Sequence, residues 1–265
     1  MHRVEMAGIR LALPGTGGPV AVLDDVSLCA DEGQFVSVLG PSGCGKSTLF
    51  NVLAGLLTPD SGDVYVGGQK VTGRIGPVAY MPQKDLLLPW RNVIDNAIVG
   101  LEVAGVSKEK ARERAREIVP LFGLEGFEGS LPSALSGGMR QRVALMRTIL
   151  LDRKVLALDE PFGALDALTR RQMQAWLARV QRQLKQTVLF ITHDIDEALA
   201  LSDAVVVLSQ RPARVLARLE VGAAVARRPG DSGLAGLKQR VLEILEADGW
   251  MTSYDAHTYS ATAGL

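Results

Sequence analysis

Short apolar runs alternate along this chain with longer stretches in which apolar residues recur every three or four positions. This alternation is typical of parallel β-strands covered by α-helices on both faces. We therefore predict an α/β fold with a mostly parallel sheet. The candidate core strands are four runs rich in Val, Leu and Ile, at residues 34–40, 155–160, 187–193 and 204–209.

Two helical stretches each carry an apolar stripe that is predicted to face the core. The stripes consist of Leu49, Val52, Leu53 and Leu56 in the first helix, and of Met173, Trp176, Leu177, Val180 and Leu184 in the second. A third helix is predicted to begin at Asp194, because an N-cap Asp followed three residues later by Glu197 resembles a capping box. This start places His193 at the carboxyl end of a strand.

The remaining segments predict a smaller antiparallel layer and a helical insertion. Glycines and short alternating runs at residues 1–33 and 62–80 indicate hairpins, and residues 86–150 are mostly helical in pattern, with a cap at Ser107. Beyond Val225 one amphipathic helix is predicted, with an apolar face formed by Leu234, Leu237, Val241, Ile244 and Leu245. We predict a main domain over residues 1–225, with a helical subdomain at about 86–150, and a C-terminal helix with a flexible tail over 226–265.

Composition narrows the classes of function. The formal net charge of the 265 residues is zero, so the chain lacks the basic field that favours nucleic-acid binding. No apolar run reaches the roughly 18 residues of a membrane-spanning helix, and the start lacks a signal-peptide pattern, which predicts a cytosolic chain. Its two cysteines, Cys29 and Cys44, are too few for a disulfide framework and are predicted to be reduced thiols.

Residues 40–48 read GPSGCGKST and fit the phosphate-loop pattern G-x-x-x-x-G-K-[ST]. Glycines let such a loop curl so that its N–H groups point at phosphate oxygens, next to the positive end of a helix. Lys46 would reach the β- and γ-phosphates and Ser47 would ligate Mg²⁺. The alternative, a glycine turn with a surface lysine, does not explain the strand before the loop and the helix after it. The predicted nucleotide contacts are Gly40, Pro41, Ser42, Gly43, Cys44, Gly45, Lys46, Ser47 and Thr48, with Cys44 as a small loop filler.

Four polar residues near strand ends are candidates for hydrolysis. Asp159 would hold Mg²⁺ through water, and Glu160 would orient or deprotonate an attacking water. His193 would contact the γ-phosphate through a neutral ring, and Gln83 would ligate Mg²⁺ or position water. Considered separately, the two acids would also fit the cap of a helix. The histidine would also fit a structural role, and the glutamine would also fit an ordinary loop position.

Taken together and in this order, these residues resemble the ATP-binding cassette (ABC) ATPases over roughly residues 20–220. LSGGMRQR at residues 135–142 resembles the signature motif of that family, ALD at 164–166 its D-loop, Gln83 its Q-loop glutamine and His193 its switch histidine. The resemblance implies a P-loop NTPase core that uses ATP and Mg²⁺, and a catalytic role for Asp166. It also implies a homodimer in which two cassettes pair head to tail around two ATP molecules.

The signature stretch offers a second anion-binding helix start in such a dimer. Ser136, Gly137 and Gly138 would begin a helix whose exposed N-terminus faces the ATP held by the other chain. The apolar face of this helix is predicted to pack inward through Met139, Val143, Met146 and Ile149.

Residues 86–105 and 160–174 resemble the nitrate, sulfonate, taurine and thiamine-precursor group of bacterial importers. Leu86, Leu87, Leu88 and Trp90 form an apolar cluster that is interpreted either as a docking patch for a hydrophobic partner or as subdomain core; we favour docking of transmembrane permease subunits near Leu87, Leu88 and Trp90. The resemblance implies an ATP-hydrolysing importer subunit at the cytoplasmic face of the cell membrane, served indirectly by a solute-binding protein. The alternatives are an exporter subunit, a P-loop small-molecule kinase, and a soluble cassette acting on DNA or ribosomes.

The chain departs from the family pattern at the nucleotide base. Many cassettes stack adenine on an aromatic residue ahead of the phosphate loop, but no Phe, Tyr or Trp precedes Phe35. Leu11 or Leu13 is the candidate replacement. Loss of stacking would be worth roughly 1–3 kcal/mol, which predicts weak selectivity for the base.

Overall fold

The computed structural model describes residues 2–163, 165–222 and 232–249. Its strands are β1 (Val4–Gly15), β2 (Gly18–Ala30), β3 (Phe35–Leu39), β4 (Ser61–Val66), β5 (Gln69–Lys70), β6 (Ala79–Met81), β7 (Val155–Asp159), β8 (Thr187–Ile191), β9 (Ala204–Leu208) and β10 (Val215–Glu220). Its α-helices are α1 (Lys46–Leu53), α2 (Val93–Ala97), α3 (Val99–Val103), α4 (Lys108–Ile118), α5 (Gly137–Ile149), α6 (Ala167–Leu184), α7 (Ile195–Leu201) and α8 (Ser232–Ala247).

A six-stranded sheet with the order β10-β9-β3-β8-β7-β6 forms the centre of the molecule. The strands from β9 to β6 are parallel, and β10 pairs antiparallel at one edge. Every residue of β3, β7, β8 and β9 is buried, which explains why these strands appear in the sequence as continuous apolar runs. All four predicted core strands are confirmed. Because β3, β8 and β7 are parallel neighbours, the loops after them open at the same edge.

The predicted antiparallel layer is a second sheet with the order β2-β1-β4-β5. Its β1–β2 hairpin brings Leu11 opposite Leu23 and Leu13 opposite Val20. Leu11 is buried in the core, so its side chain packs inside the molecule. Of the two candidate replacements for the aromatic residue, only Leu13 remains partly accessible.

Residues 86–150 contain helices α2 to α5, together with 3-10 turns at Val119–Phe122 and Pro132–Ala134. Ser107 is the N-cap residue of α4, as predicted, although its side chain makes no capping hydrogen bond. The predicted inward face of α5 is confirmed, with Val143 and Met146 buried and Met139 and Ile149 packed against the same cluster.

The prediction that every residue of the first helical stripe faces the core is wrong at one position. Leu56 is 53% exposed, because α1 ends at Leu53 and the chain turns away at Gly55, which has φ +76°. An added Cβ at Gly55 would lie 2.2 Å from the Arg74 carbonyl oxygen, so only glycine fits this turn. The helical period therefore stops before Leu56.

The second stripe faces the core through Met173, Trp176 and Leu177, with Val180 packed at its margin, while the side chain of Leu184 lies outside the described part. The predicted C-terminal helix is α8, and its Val241 and Leu245 are buried against α7 and the sheet. The polar stretch 252–265 lies outside the described residues, and the domain boundaries remain predictions. Within the described ranges, no helix combines the length and apolar character needed to cross a bilayer.

Candidate functional site

The phosphate loop joins the end of β3 to the start of α1, as the motif predicts. Gly43 has φ +76° and Gly45 has φ +126°, conformations that residues with a Cβ rarely adopt. An added Cβ at Gly45 would also lie 3.0 Å from Val22 and 3.1 Å from Leu23 of β2. The positive φ of both glycines thus lets the loop curl, and Gly45 lets it approach the β1–β2 hairpin closely.

Lys46 points back into the curl of this loop. Its Nζ donates hydrogen bonds to the carbonyl oxygens of Gly40, at 2.7 Å, and Pro41, at 2.9 Å, and the residue is 6% exposed. A nucleotide phosphate would replace these neutral acceptors with charged ones, which form stronger bonds with an ammonium group. Cys44 is buried beside the loop, and this burial raises the pKa of its thiol, in keeping with a small filler.

Asp159, the last residue of β7, is a buried carboxylate aimed at the same edge. It is 1% exposed, and within the described part of the chain neither carboxylate oxygen has a hydrogen-bond partner. Burial raises its pKa, an effect that the nearby Ser47 hydroxyl partly offsets. Buried acceptors without donors need an external partner, and a hydrated Mg²⁺ is a fitting one because its waters would donate to both oxygens.

Glu160 lies at the meeting point of two other predicted residues. Gln83 Nε2 donates to Glu160 Oε2 at 3.2 Å, and His193 Nδ1 lies 3.4 Å from Glu160 Oε1. The φ of Glu160 is +47°, a strained value for a residue with a Cβ, and such strain clusters at functional sites. The Glu160 N–H donates to the Ile191 carbonyl of β8, and the Gln141 side chain of α5 donates to the Glu160 carbonyl, so four groups from three segments of the chain converge on Glu160.

The electrostatics of the Glu160–His193 pair differ from the neutral ring expected from the sequence. The bond to His193 lowers the pKa of Glu160, and the same bond raises the pKa of His193. The pairing therefore favours a carboxylate beside an imidazolium. A carboxylate is the form of Glu160 that can accept a proton or orient a water.

A buried carboxylate that lines the same cavity as Glu160 and His193 was not predicted from the sequence as a site residue. Glu197 is 8% exposed, accepts a hydrogen bond from Thr192 Oγ1, and accepts a second from Gln174 Nε2 of α6 at 2.7 Å. Its N–H donates to Asp194 Oδ1, the cap predicted for α7. Sequence reasoning used Glu197 only as a capping residue, because its contact with α6 spans 23 positions and leaves no local pattern.

The signature helix α5 begins at the predicted residues. Ser136 is its exposed N-cap residue, and its Oγ accepts from the Met139 N–H at 3.3 Å. Asp166 has the same role for α6, accepting from the N–H groups of Leu168 and Thr169. Ala164, the first residue of the D-loop, lies outside the described part. The structure places Asp166 at a capping position, and its catalytic role remains a prediction.

The apolar cluster after Gln83 is split between surface and core. Trp90 is 73% exposed and Leu86 is 59% exposed, whereas Leu87 packs against the helical core. Arg147 of α5 holds this segment by donating to the carbonyl oxygens of Asp85 and Leu86. The segment that follows Gln83 is therefore tied directly to the signature helix.

Residues 23–163 match the sequence family described as ABC transporter. The chain belongs to the ABC transporter family. It is 47% identical over 205 residues to taurine import ATP-binding protein TauB of Rhizobium johnstonii, which covers 77% of this chain and 78% of that protein. It is 41% identical over 230 residues to an uncharacterized ABC transporter ATP-binding protein of Methanocaldococcus jannaschii, covering 87% of this chain and 86% of that one.

A solved structure agrees with this membership. The ATP-binding cassette MJ0796, described as dimeric, in a post-hydrolysis state and bound to ADP and Pi, superposes with a TM-score of 0.76 at 27% identity, covering 83% of this chain and 99% of that one. The predicted fold class, an ABC ATPase with a P-loop NTPase core, is confirmed. This ABC ATPase therefore brings a phosphate loop, a buried acid and a strained glutamate to one edge of its central sheet.

Proposed function

We propose that this chain is the ATP-hydrolysing subunit of an importer. The observation that supports hydrolysis best is the position of Glu160, within hydrogen-bonding reach of Gln83 and His193 and next in sequence to the buried Asp159. A carboxylate kept ionised by a histidine is suited to orient a water for attack on the γ-phosphate. The family and its ATP-binding relatives support ATP as the nucleotide.

Each site residue then has a separate task. The Lys46 ammonium and the backbone N–H groups of residues 40–48, except that of Pro41, which has none, bind the phosphates, while Ser47, Asp159 and Gln83 would hold Mg²⁺, directly or through water. Mg²⁺, when bound, would neutralise charge on the phosphate oxygens. Glu160 orients the attacking water and His193 contacts the γ-phosphate. Gln83 donates a hydrogen bond to Glu160 and precedes the segment that leads to Trp90. It would therefore report the state of the nucleotide site to a partner.

We propose that two copies pair head to tail, so that Ser136, Gly137 and Gly138 of one chain close over ATP held by the other. Support comes from the exposed start of α5, with the Ser136 hydroxyl beside it, and from the dimeric form stated for the solved cassettes. An exposed helix start carries partial positive charge that favours an anion.

The partner side of the proposal concerns Leu87, Leu88 and Trp90. A tryptophan that is 73% exposed on a segment bonded to α5 is suited to dock an apolar groove of a permease subunit. This docking would hold the chain at the cytoplasmic face of the membrane, with a solute-binding protein acting on the permease alone. Relatives named for taurine import make taurine and related small sulfonates the first solutes to test.

A reconstituted complex of this chain with its permease and solute-binding protein tests the proposal. We expect taurine or a related sulfonate to accumulate in proteoliposomes only with ATP supplied on the side of this chain. Trp90→Ala should reduce uptake at least about tenfold, as expected for an interface hot spot, and leave ATP hydrolysis by the isolated chain unchanged. Val103→Ala is the matched control, since Val103 is 84% exposed elsewhere on the helical part. ATP-driven efflux, or equal effects of the two substitutions, would contradict import or docking at Trp90.

A further inference from the structure

A turn between β9 and β10, residues 209–214, contacts the back of the phosphate loop. Arg211 Nη2 donates a hydrogen bond of 2.7 Å to the carbonyl oxygen of Gly43. The two residues are 168 positions apart in sequence, and neither the motif nor the proposed mechanism gives Arg211 a task. A guanidinium carries a positive charge, so this contact is a charge-assisted bond to the loop that binds phosphate.

The Gly43 carbonyl belongs to the same peptide plane as the Cys44 N–H. In a trans peptide these two groups point in opposite directions, so a donor that holds the carbonyl outward also directs the N–H inward. The Cys44 N–H indeed points to the Pro41 carbonyl oxygen, at 3.3 Å, which is the acceptor that Lys46 Nζ also uses. The inward N–H and the Lys46 ammonium thus share the space that a phosphate oxygen would enter.

Gly43 is a position where the peptide needs such support. Its φ is +76°, and an added Cβ would meet no atom within 4 Å, so packing does not restrain the residue. Glycine in open space has access to many backbone conformations. Among the described residues, Arg211 is the one whose side chain donates a hydrogen bond to the Gly43 carbonyl.

The turn that carries Arg211 is fixed to β2 on one side. The Ala213 N–H donates to the Val22 carbonyl at 2.8 Å, and the Asp24 N–H donates to the Ala213 carbonyl at 3.0 Å. Arg214 adds an ion pair with Asp24, including a 2.8 Å bond from Nε. Arg211 therefore projects from a base attached to the hairpin against which the phosphate loop packs.

The end of α8 braces the same turn from the other side. The Gln210 N–H donates to Asp248 Oδ2 at 2.8 Å, and Gln210 Nε2 donates to the Asp248 carbonyl at 3.2 Å. Two hydrogen bonds to one residue fix position and orientation together. A continuous path of contacts thus leads from the C-terminal helix through Gln210 and Arg211 to Gly43.

We propose that Arg211 is a positioning residue for nucleotide binding, which holds the Gly43–Cys44 peptide with its N–H toward the phosphate site, and that the end of α8 supports it through Asp248. The proposal rests on the proposed binding of ATP. Since Arg211 contacts none of the reacting groups described above, it acts on affinity and leaves the chemical step unchanged.

Titration of Mg-ATP onto the purified full chain, together with steady-state hydrolysis, tests the role of Arg211. Arg211→Ala should raise the Kd and KM about five- to tenfold, less than the full effect of one charge-assisted hydrogen bond because Arg211 acts on the nucleotide only through the loop, with kcat within about twofold of wild type. Arg211→Lys, which keeps a charged donor, should recover most of the affinity. Arg240→Ala is the matched control, because Arg240 is an exposed arginine that pairs with Glu243 on its own helix, and it should bind Mg-ATP within about twofold of wild type.

Three results would overturn the inference: wild-type affinity in Arg211→Ala, equal weakening in Arg240→Ala, or a fall in kcat with KM unchanged. If Arg211→Ala does not fold, as judged by its thermal unfolding, the comparison of Arg211→Lys with Arg211→Gln decides, since only the lysine keeps the charge. If the wild-type chain itself failed to bind Mg-ATP, that result would contradict the proposed function. It is therefore distinguishable from a result that contradicts only the role of Arg211.

A double-mutant cycle tests the support from α8. Asp248→Ala should weaken Mg-ATP binding about two- to threefold in the wild-type background and have no further effect in the Arg211→Ala background, because coupled residues are not additive. Equal effects in both backgrounds would show that Asp248 does not act through Arg211.

Discussion

Glu160 combines a strained backbone, a histidine partner and an amide partner, and its chemistry is testable by a nearly isosteric change. Glu160→Gln keeps the side-chain shape and removes the carboxylate, so hydrolysis should fall by roughly 10²–10⁴-fold, the usual contribution of general base catalysis. Binding of Mg-ATP should persist and a closed dimer should accumulate. Single-turnover hydrolysis and size-exclusion chromatography with ATP measure both effects.

Glu113→Gln is the control for this substitution, because Glu113 is exposed on α4 and should behave as wild type. Turnover by Glu160→Gln close to the wild-type rate would remove Glu160 from the catalytic role. The amide of Gln83 donates a hydrogen bond to the same carboxylate, so the role proposed for Gln83 would then also be wrong.

The Glu160–His193 pair also predicts a pH dependence of stability. The pKa of His193 is raised above its ordinary 6.5, chiefly by Glu160 and further by Asp194 and Glu197, so its contribution is complete below about pH 6.5 and is lost as pH rises through the folded pKa. The pKa of Glu160 is lowered from 4.5, chiefly by His193, so its contribution is present above about pH 4.5 and is lost as pH falls through the folded pKa.

Both contributions coincide between about pH 4.5 and 6.5. Thermal unfolding of wild type and His193→Ala should therefore differ more at pH 5.5 than at pH 8.5. A difference that stays constant, or that grows toward pH 8.5, would show that the pair does not stabilise the folded state in this way.

At the scale of secondary-structure elements, the β1–β2 hairpin determines what can meet the nucleotide base. Leu11 is buried opposite Leu23, which leaves Leu13, paired with Val20, as the accessible apolar residue. Without a stacking ring, affinity should rest on the triphosphate, where charged hydrogen bonds of roughly 1.5–3 kcal/mol dominate. ATP and GTP should then compete within about tenfold. A competition titration of Mg-ATP against Mg-GTP measures the ratio, and a preference beyond about a hundredfold would mean that another residue reads adenine.

Leu13→Tyr extends this prediction. A tyrosine ring placed over the base should tighten ATP, with stacking worth roughly 1–3 kcal/mol. Inorganic tripolyphosphate has no base, so its binding to Leu13→Tyr should equal that of wild type. Tighter binding of both ligands would place the effect in the phosphate loop.

The elements that sequence predicted correctly are those with strong local patterns. Continuous apolar runs identified the buried strands. Asp194 marked the start of α7 because an N-cap Asp with a Glu three residues later is a local pattern that the sequence shows directly. Leu56 was assigned wrongly because the helical period alone does not show where the chain turns. Glu197 and Arg211 were missed for another reason. Their partners Gln174 and Gly43 lie 23 and 168 positions away, and no short pattern encodes such contacts.

For the whole molecule, the central question is whether the phosphate loop and the signature helix of one chain serve different sites. In a head-to-tail dimer, Lys46 of one copy and Ser136 of the other complete each site, so a closed pair has two composite sites related by symmetry. Ser136→Arg would place a large cation where the helix start should meet phosphate. It also removes the cap of α5, at a cost of about 0.5–2 kcal/mol, so thermal unfolding must accompany the assay.

Mixing two defective chains separates a composite site from a site within one chain. Lys46→Ala and Ser136→Arg should each be nearly inactive alone, whereas their heterodimer has one site with both defects and one site with neither. Random pairing would restore about a quarter of the wild-type sites, measured as ATP hydrolysis of the mixture against each parent. Ser133→Arg is the matched control, since Ser133 is an exposed serine in the turn before α5 and should hydrolyse ATP alone. Full activity of Ser136→Arg by itself, with ATP-dependent pairing abolished by Lys46→Ala, would contradict the head-to-tail arrangement, because the signature helix would then contribute nothing across the interface.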